Sequence, residues 1–217
     1  MDYQLMYEIT PLLLKAAWVT LKVSFWSFWL GLIVSSILVA TRLSGILPMV
    51  WLSRAYVSFI RGTPFFVQIL VMYYGTPAFG IELDAYNAGI IAIGFNIGAY
   101  MSEAMRGSIL AVDDGQNEAA RSLGFSRFST FLYVVLPQAA GLMIRSVGVL
   151  TVIMIKGSSL VSIISVVELT YQAQRIIGST YKPLEVFTVA AVFYLIIIYG
   201  VRYIIDRSYD HYTRYLH

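Results

Sequence analysis

The sequence predicts an all-α integral membrane protein with about five membrane-crossing helices, on three observations. Of 217 residues, 59% are hydrophobic and only 12% charged, and the mean hydropathy is +0.74. A soluble domain usually carries about 25% charged residues. The apolar residues fall in blocks of roughly 20, the length at which a helix crosses a bilayer. Between these blocks lie short polar stretches, and the longest of them runs from Asp113 to Gln138. The chain reads as one membrane domain over residues 1–217, with a polar loop at about 113–131.

In order, Met1 to Thr10 carries Asp2 and Glu8 but no Lys or Arg, unlike the basic start of a secretory signal. The first span covers Leu12 to Ala40. Its Lys15 and Lys22, seven apart, share one helical face and can snorkel to the interface. Arg42 to Arg54 reads as a loop broken by Gly45 and Pro48. The second span comes next, uncharged from Gly62 and ending near Tyr74, with an acidic loop (Glu82, Asp84) beyond it. The third span is Ala85 to Leu110, and a fourth starts at Pro137. Glu168 to Pro183 is a polar helical stretch and turn, and the last span is Leu184 to Ile205. Arg42, Arg54, Arg121, Arg127 and the C-terminal arginines mark one side as cytosolic. That places the N-terminus outside, the C-terminus inside and the long polar loop in the cytosol.

Within that loop, Asp113 and Asp114 can cap a helix start, and Gly124 can end the helix in the left-handed conformation. Small Ala119 and Ala120 let another surface approach closely. Glu118-Ala119-Ala120 is followed after three residues by Gly124, after nine more by Val134, and after one more by Leu136-Pro137. This spacing resembles the EAA loop of ABC-importer permeases, with Val where that pattern has Ile. FIRGTPFFVQ at 59–68, GAYMSEAMRG at 98–107 and KGSSLVSIISVVELT at 156–170 resemble segments of permeases in polar amino acid importers. In the last of these, Gly157 and Ser158 replace the Asn and Thr of the pattern.

The resemblance implies a type I ABC-importer permease in a bacterial inner membrane. It would pair with a second permease, identical or homologous, with two ATPase subunits and with an external solute-binding protein. The coupling residues would be Glu118, Ala119, Ala120, Arg121, Gly124 and Phe125. ATP and Mg would sit on the partner ATPase, because no GxxxxGK[ST] loop cradles phosphates here. HExxH, CxxC and GxSxG are equally missing and the chain has no Cys, so neither a catalytic nor a metal site is predicted. No basic patch suggests nucleic acid; the remaining partner is lipid. A channel, a gradient-driven carrier and a membrane scaffold or sensor are the competing classes. A gradient-driven carrier usually shows inverted repeats.

Charged and polar groups in a span point to a pathway or a buried pair. Asn96, Tyr100 and Glu103, at steps of four and three, share one helix face. Glu103 reads either as a counter-charge for a basic substrate or as half of a structural pair with Arg145 or Lys156. Ser158 and Ser159 after Gly157 read either as donors to a substrate carboxylate or as a helix end where Lys156 reaches headgroups. Thr63-Pro64 is a fainter break, more a kink than a site. Gly89, Gly94 and Gly98 read as helix-packing positions.

Overall fold

The computed structural model describes residues 2–214. Among these the chain is helical throughout: α1 (Tyr3–Leu43), α2 (Leu47–Gly62), α3 (Phe65–Leu70), α4 (Ala85–Leu110), α5 (Asp114–Ser122), α6 (Arg127–Thr130), α7 (Leu136–Gly157), α8 (Leu169–Thr180) and α9 (Pro183–Thr213). Three runs are long and apolar enough to cross a membrane alone, namely 3–43, 127–164 and 183–213. The α2–α3 pair passes the same test only when taken together, bent by 107°. With its 26 residues α4 is long enough to cross at 1.5 Å per residue. Its Asn87 and Asn96 make it less apolar, and it is sheltered at the centre, with Ala88, Ala92, Ile93 and Met101 buried.

Several boundaries differ from the sequence reading, each for a local reason. Pro48 does not break a loop. It occupies the first turn of α2, where its missing N–H costs nothing, so Arg54 rides on a helix. The first helix starts at Tyr3 because the Asp2 carboxylate accepts from Leu5 N at 3.0 Å. After α3 the helix continues past Tyr74 as a π-turn (Val71–Gly75) and a 3-10 turn (Thr76–Phe79), closed by Gly80 at φ 74°. The fourth span begins at Arg127 instead of Pro137. A π-turn at Phe131–Val135 lets Leu136 N reach back to Phe131 O, and the wider turn accommodates a proline inside a continuous helix. The last span runs on to Thr213, taking in the basic tail.

Close approach of α1 and α4 forms the centre of the fold. A Cβ on Gly94 would lie 2.6 Å from Leu30, one on Gly98 2.7 Å from Val34, and one on Gly31 2.5 Å from Ile97. Small residues are what allow helices to meet this tightly in a membrane. Gly98→Val is therefore expected to keep the chain from accumulating in the membrane fraction, as measured by immunoblot. Wild-type levels would mean that the helices can part without cost.

Glu168 caps α8 while fully buried. It accepts from Tyr171 N at 2.7 Å and from the Tyr194 hydroxyl at 2.9 Å. Leu169 N donates to Thr20 Oγ1 at 3.1 Å, which fastens α8 to α1.

Candidate functional site

The break between α2 and α3 organises a cavity. Gly62-Thr63-Pro64 stops α2 because Pro64 cannot donate and pushes Thr63 into an extended conformation. The freed carbonyls need donors, and Gln68 supplies them. Its Nε2 donates to Ile60 O (2.7 Å), to Thr63 Oγ1 (2.7 Å) and, more weakly, to Thr63 O (3.2 Å). Gln68 Oε1 accepts from Asn96 Nδ2 at 2.9 Å, which ties the break to α4. Beside this network lies a cavity of about 310 Å³ lined by Thr63, Phe65, Asn96, Tyr100, Met154 and Gly157, among others. That volume is at the lower end of small-ligand sites, about 300 Å³ upward. Thr63, Asn96 and Tyr100 are thus brought together, from two elements, and α7 closes the cavity with Gly157.

The other predicted site residues are placed differently. Ser158 is fully buried and donates to Ile155 O at 2.8 Å; Ser159 donates to Lys156 O at 2.9 Å. Both hydroxyls satisfy carbonyls where α7 tightens into a 3-10 turn (Ser158–Ile164), so they do not point donors at a ligand. Lys156 is exposed. Glu103 is paired, but not with Arg145 or Lys156. Its two oxygens accept from Arg42 (2.5 Å) and from Arg106 (3.0 Å), while Arg145 stacks on the Tyr209 ring at 3.9 Å. The expectation of a basic substrate rested on an open Glu103 carboxylate, and that carboxylate is engaged.

The polar loop forms the helix its caps predict. Asp113 accepts from Gly115 N at 2.7 Å, and Asp114 sits in the first turn of α5. Gly124 ends it at φ 87°, with Phe125 N bonded to Ala120 O (3.1 Å) and Gly124 N to Arg121 O (3.0 Å). These two bonds are the Schellman pattern. Ala120 is buried against the chain itself, whereas Glu118, Ala119, Arg121, Gly124 and Phe125 are exposed. Leu123 and Phe128 are also exposed, at 79% and 73%, giving the tip an apolar surface.

The family model of the inner membrane component of binding-protein-dependent transport systems matches residues 48–215. The chain belongs to this family. Among relatives of this permease, the glutamine transport system permease of Escherichia coli (strain K12) is 36% identical over 208 residues, with 95% of each chain covered. The nopaline transport system permease of Agrobacterium fabrum is 39% identical, covering 93% of this chain and 88% of its own. The L-cystine transport system permease of Bacillus subtilis is 37% identical, covering 94% and 88%. The crystal structure of an amino acid ABC transporter with histidines matches with a TM-score of 0.91 and 34% identity, over 97% of this chain and 99% of that one. An inward-facing methionine ABC transporter shares the fold, with a TM-score of 0.75 at 20% identity over 98% and 99%.

Two residues of this permease that hold predicted site residues, Gln68 at Asn96 and Arg42 at Glu103, escape the sequence reading. Gln68 closes the motif 59–68, and a lone amide four residues past a Thr-Pro break is the available signal. Arg42 reads only as a marker of sidedness. Its partner lies 61 positions away, and no local pattern carries that pairing.

Proposed function

We propose that this chain is the permease subunit of an importer that moves a polar amino acid into the cell, using ATP hydrolysed by separate ATPase subunits. The observation that carries the reading is the likeness to the amino acid ABC transporter over nearly the whole chain, joined to permease relatives named for glutamine, cystine and nopaline. The cavity at Thr63, Asn96 and Tyr100 forms part of the pathway. Asn96, held by Gln68, offers an amide there, and Tyr100 Oη has no hydrogen bond among the described residues, which leaves it open to a solute.

A second permease completes the pathway, an external binding protein delivers the solute, and two ATPase subunits bind ATP and Mg. The exposed face of α5, with Glu118, Ala119, Arg121 and Phe125, docks to the ATPase, and Ala120 backs it from inside. The N-terminus lies outside and the C-terminus in the cytosol, in keeping with arginines at the α5 end of the molecule and acidic Glu82 and Asp84 at the other.

Two experiments test this. Co-purification with the ATPase, followed by ATP-dependent uptake of amino acids into vesicles, separates a permease from a channel, a gradient-driven carrier or a scaffold. Uptake that proceeds without ATP would end the reading. A reporter after Asp210 is expected to behave as cytosolic and one near Glu82 as external; the reverse at either position overturns the orientation.

A further inference from the structure

A second cavity, of about 610 Å³, adjoins the first through Tyr100, which lines both. Its wall is basic: Arg42, Arg54, Arg61 and Glu103 line it together with Ser58. Arg42 and Arg106 each take one oxygen of Glu103. Arg61 has only the Tyr100 ring, 5.5 Å from its guanidinium carbon, and Arg54 has no counter-ion among the described residues. Four guanidinium groups thus share one carboxylate. Arginine does not escape such crowding by losing its proton, and with Arg54, Ser58 and Arg61 exposed, their donors are open to an anion entering the cavity.

The arrangement is directed toward the cavity. Arg54, Ser58 and Arg61 have the helical i, i+4, i+7 spacing, so they form one stripe of α2. Val57, which also lines the cavity, flanks this stripe; Ile60 is buried on another face, and Leu52 and Phe59, exposed at 74% and 65%, form a third and apolar one. The arginines therefore face the cavity beside Tyr100 and not the surface that suits lipid tails.

We propose that this cavity is an oxyanion station on the cytosolic side of the amino acid pocket. It takes the carboxylate of the solute as that solute leaves Asn96 and Tyr100. Arg54 and Arg61 supply planar donor pairs that match a carboxylate's two oxygens, and Arg42 and Arg106 hold Glu103 out of the way. The station also opposes solutes of net positive charge. This inference rests on the amino acid reading of the permease, although its ligand chemistry, a carboxylate, can be probed alone.

The test uses the purified permease–ATPase complex and the double variant Arg54→Gln/Arg61→Gln. In lipid-free detergent at fixed ionic strength, sodium acetate replacing chloride is expected to raise the melting temperature of the wild-type complex, as any ligand of the folded state does, and not that of the variant. ATP-dependent uptake in phosphatidylcholine vesicles, with the amino acid found by screening the wild-type complex, is expected to fall about tenfold to a hundredfold, the worth of a charge-assisted hydrogen bond. Arg54→Lys/Arg61→Lys, which keeps the charge without the fork, is expected to fall between the two. An unchanged melting response together with unchanged uptake overturns the proposal. So does stabilisation by phosphatidylglycerol without any by acetate, which assigns the cavity to a lipid headgroup. An acetate response in a complex that transports no amino acid supports the station and overturns the amino acid reading.

Discussion

Gly124→Val is expected to abolish ATP-driven uptake while the chain still reaches the membrane. The residue sits at φ 87°, where it closes α5, and a Cβ there would meet nothing within 4 Å. The effect therefore comes from the backbone and not from crowding. A left-handed residue other than Gly costs about 1–2 kcal/mol, and a β-branched one resists most because its rotamers are restricted. Relaxing that strain breaks the bonds from Phe125 N to Ala120 O and from Gly124 N to Arg121 O. The last turn of α5 then swings, carrying Arg121, Leu123 and Phe125 away from the positions proposed to dock the ATPase.

The core of the molecule is untouched, because the glycine-mediated contact of α1 and α4 involves none of these residues. Gly124→Asn separates backbone from bulk, since Asn tolerates the left-handed region better than Val, and it is expected to keep part of the uptake. The measurement is uptake normalised to membrane-fraction protein, with ATPase co-purification alongside. Normal uptake by the Val variant would show that the elbow is not needed for coupling.

Helix α5 is legible in the sequence because every determinant is local. Asp113 caps it and Gly124 ends it, whereas the start of the next span is not legible, because Pro137 lies within the helix that begins at Arg127. The boundaries of α4, Ala85 and Leu110, are as legible as those of α5, and the Asp84 carboxylate fixes the first of them by accepting from Asn87 N at 2.9 Å. The hidden features depend on groups brought together from far along the chain. Pro48 can end one helix or begin another, and only packing against α1 and α4 decides. Glu103 has several basic residues within reach, and the choice of Arg42 comes from how α1 lies against α4. Ser158 and Ser159 face either a ligand or their own backbone according to how tightly α7 ends, which the 3-10 turn settles. The pocket face of Asn96 and Tyr100 is readable from spacing, but its support by Gln68 is not.

Gln68→Leu is the second large effect. The side chain is of similar size, so packing is nearly kept, and what is lost is hydrogen bonding at the α2–α3 break. Two amide hydrogens serve Ile60 O, Thr63 Oγ1 and Thr63 O, and the amide oxygen holds Asn96. Leaving a buried polar group unpaired costs about 1–3 kcal/mol, more than the roughly 1 kcal/mol net worth of one bond. With several partners orphaned at once, the loss is on the order of 3 kcal/mol. The complex is expected to melt several degrees lower, and uptake is expected to fall at least tenfold, because Thr63 and Asn96 no longer hold their places around the cavity. Adding Asn96→Leu removes one orphan and restores an apolar contact. This double variant is expected to recover part of the melting temperature but none of the uptake, since the cavity then lacks the Asn96 amide. A double variant that transports as well as wild type would remove Asn96 and Gln68 from the pathway, and the cavity would be a packing feature of the broken helix.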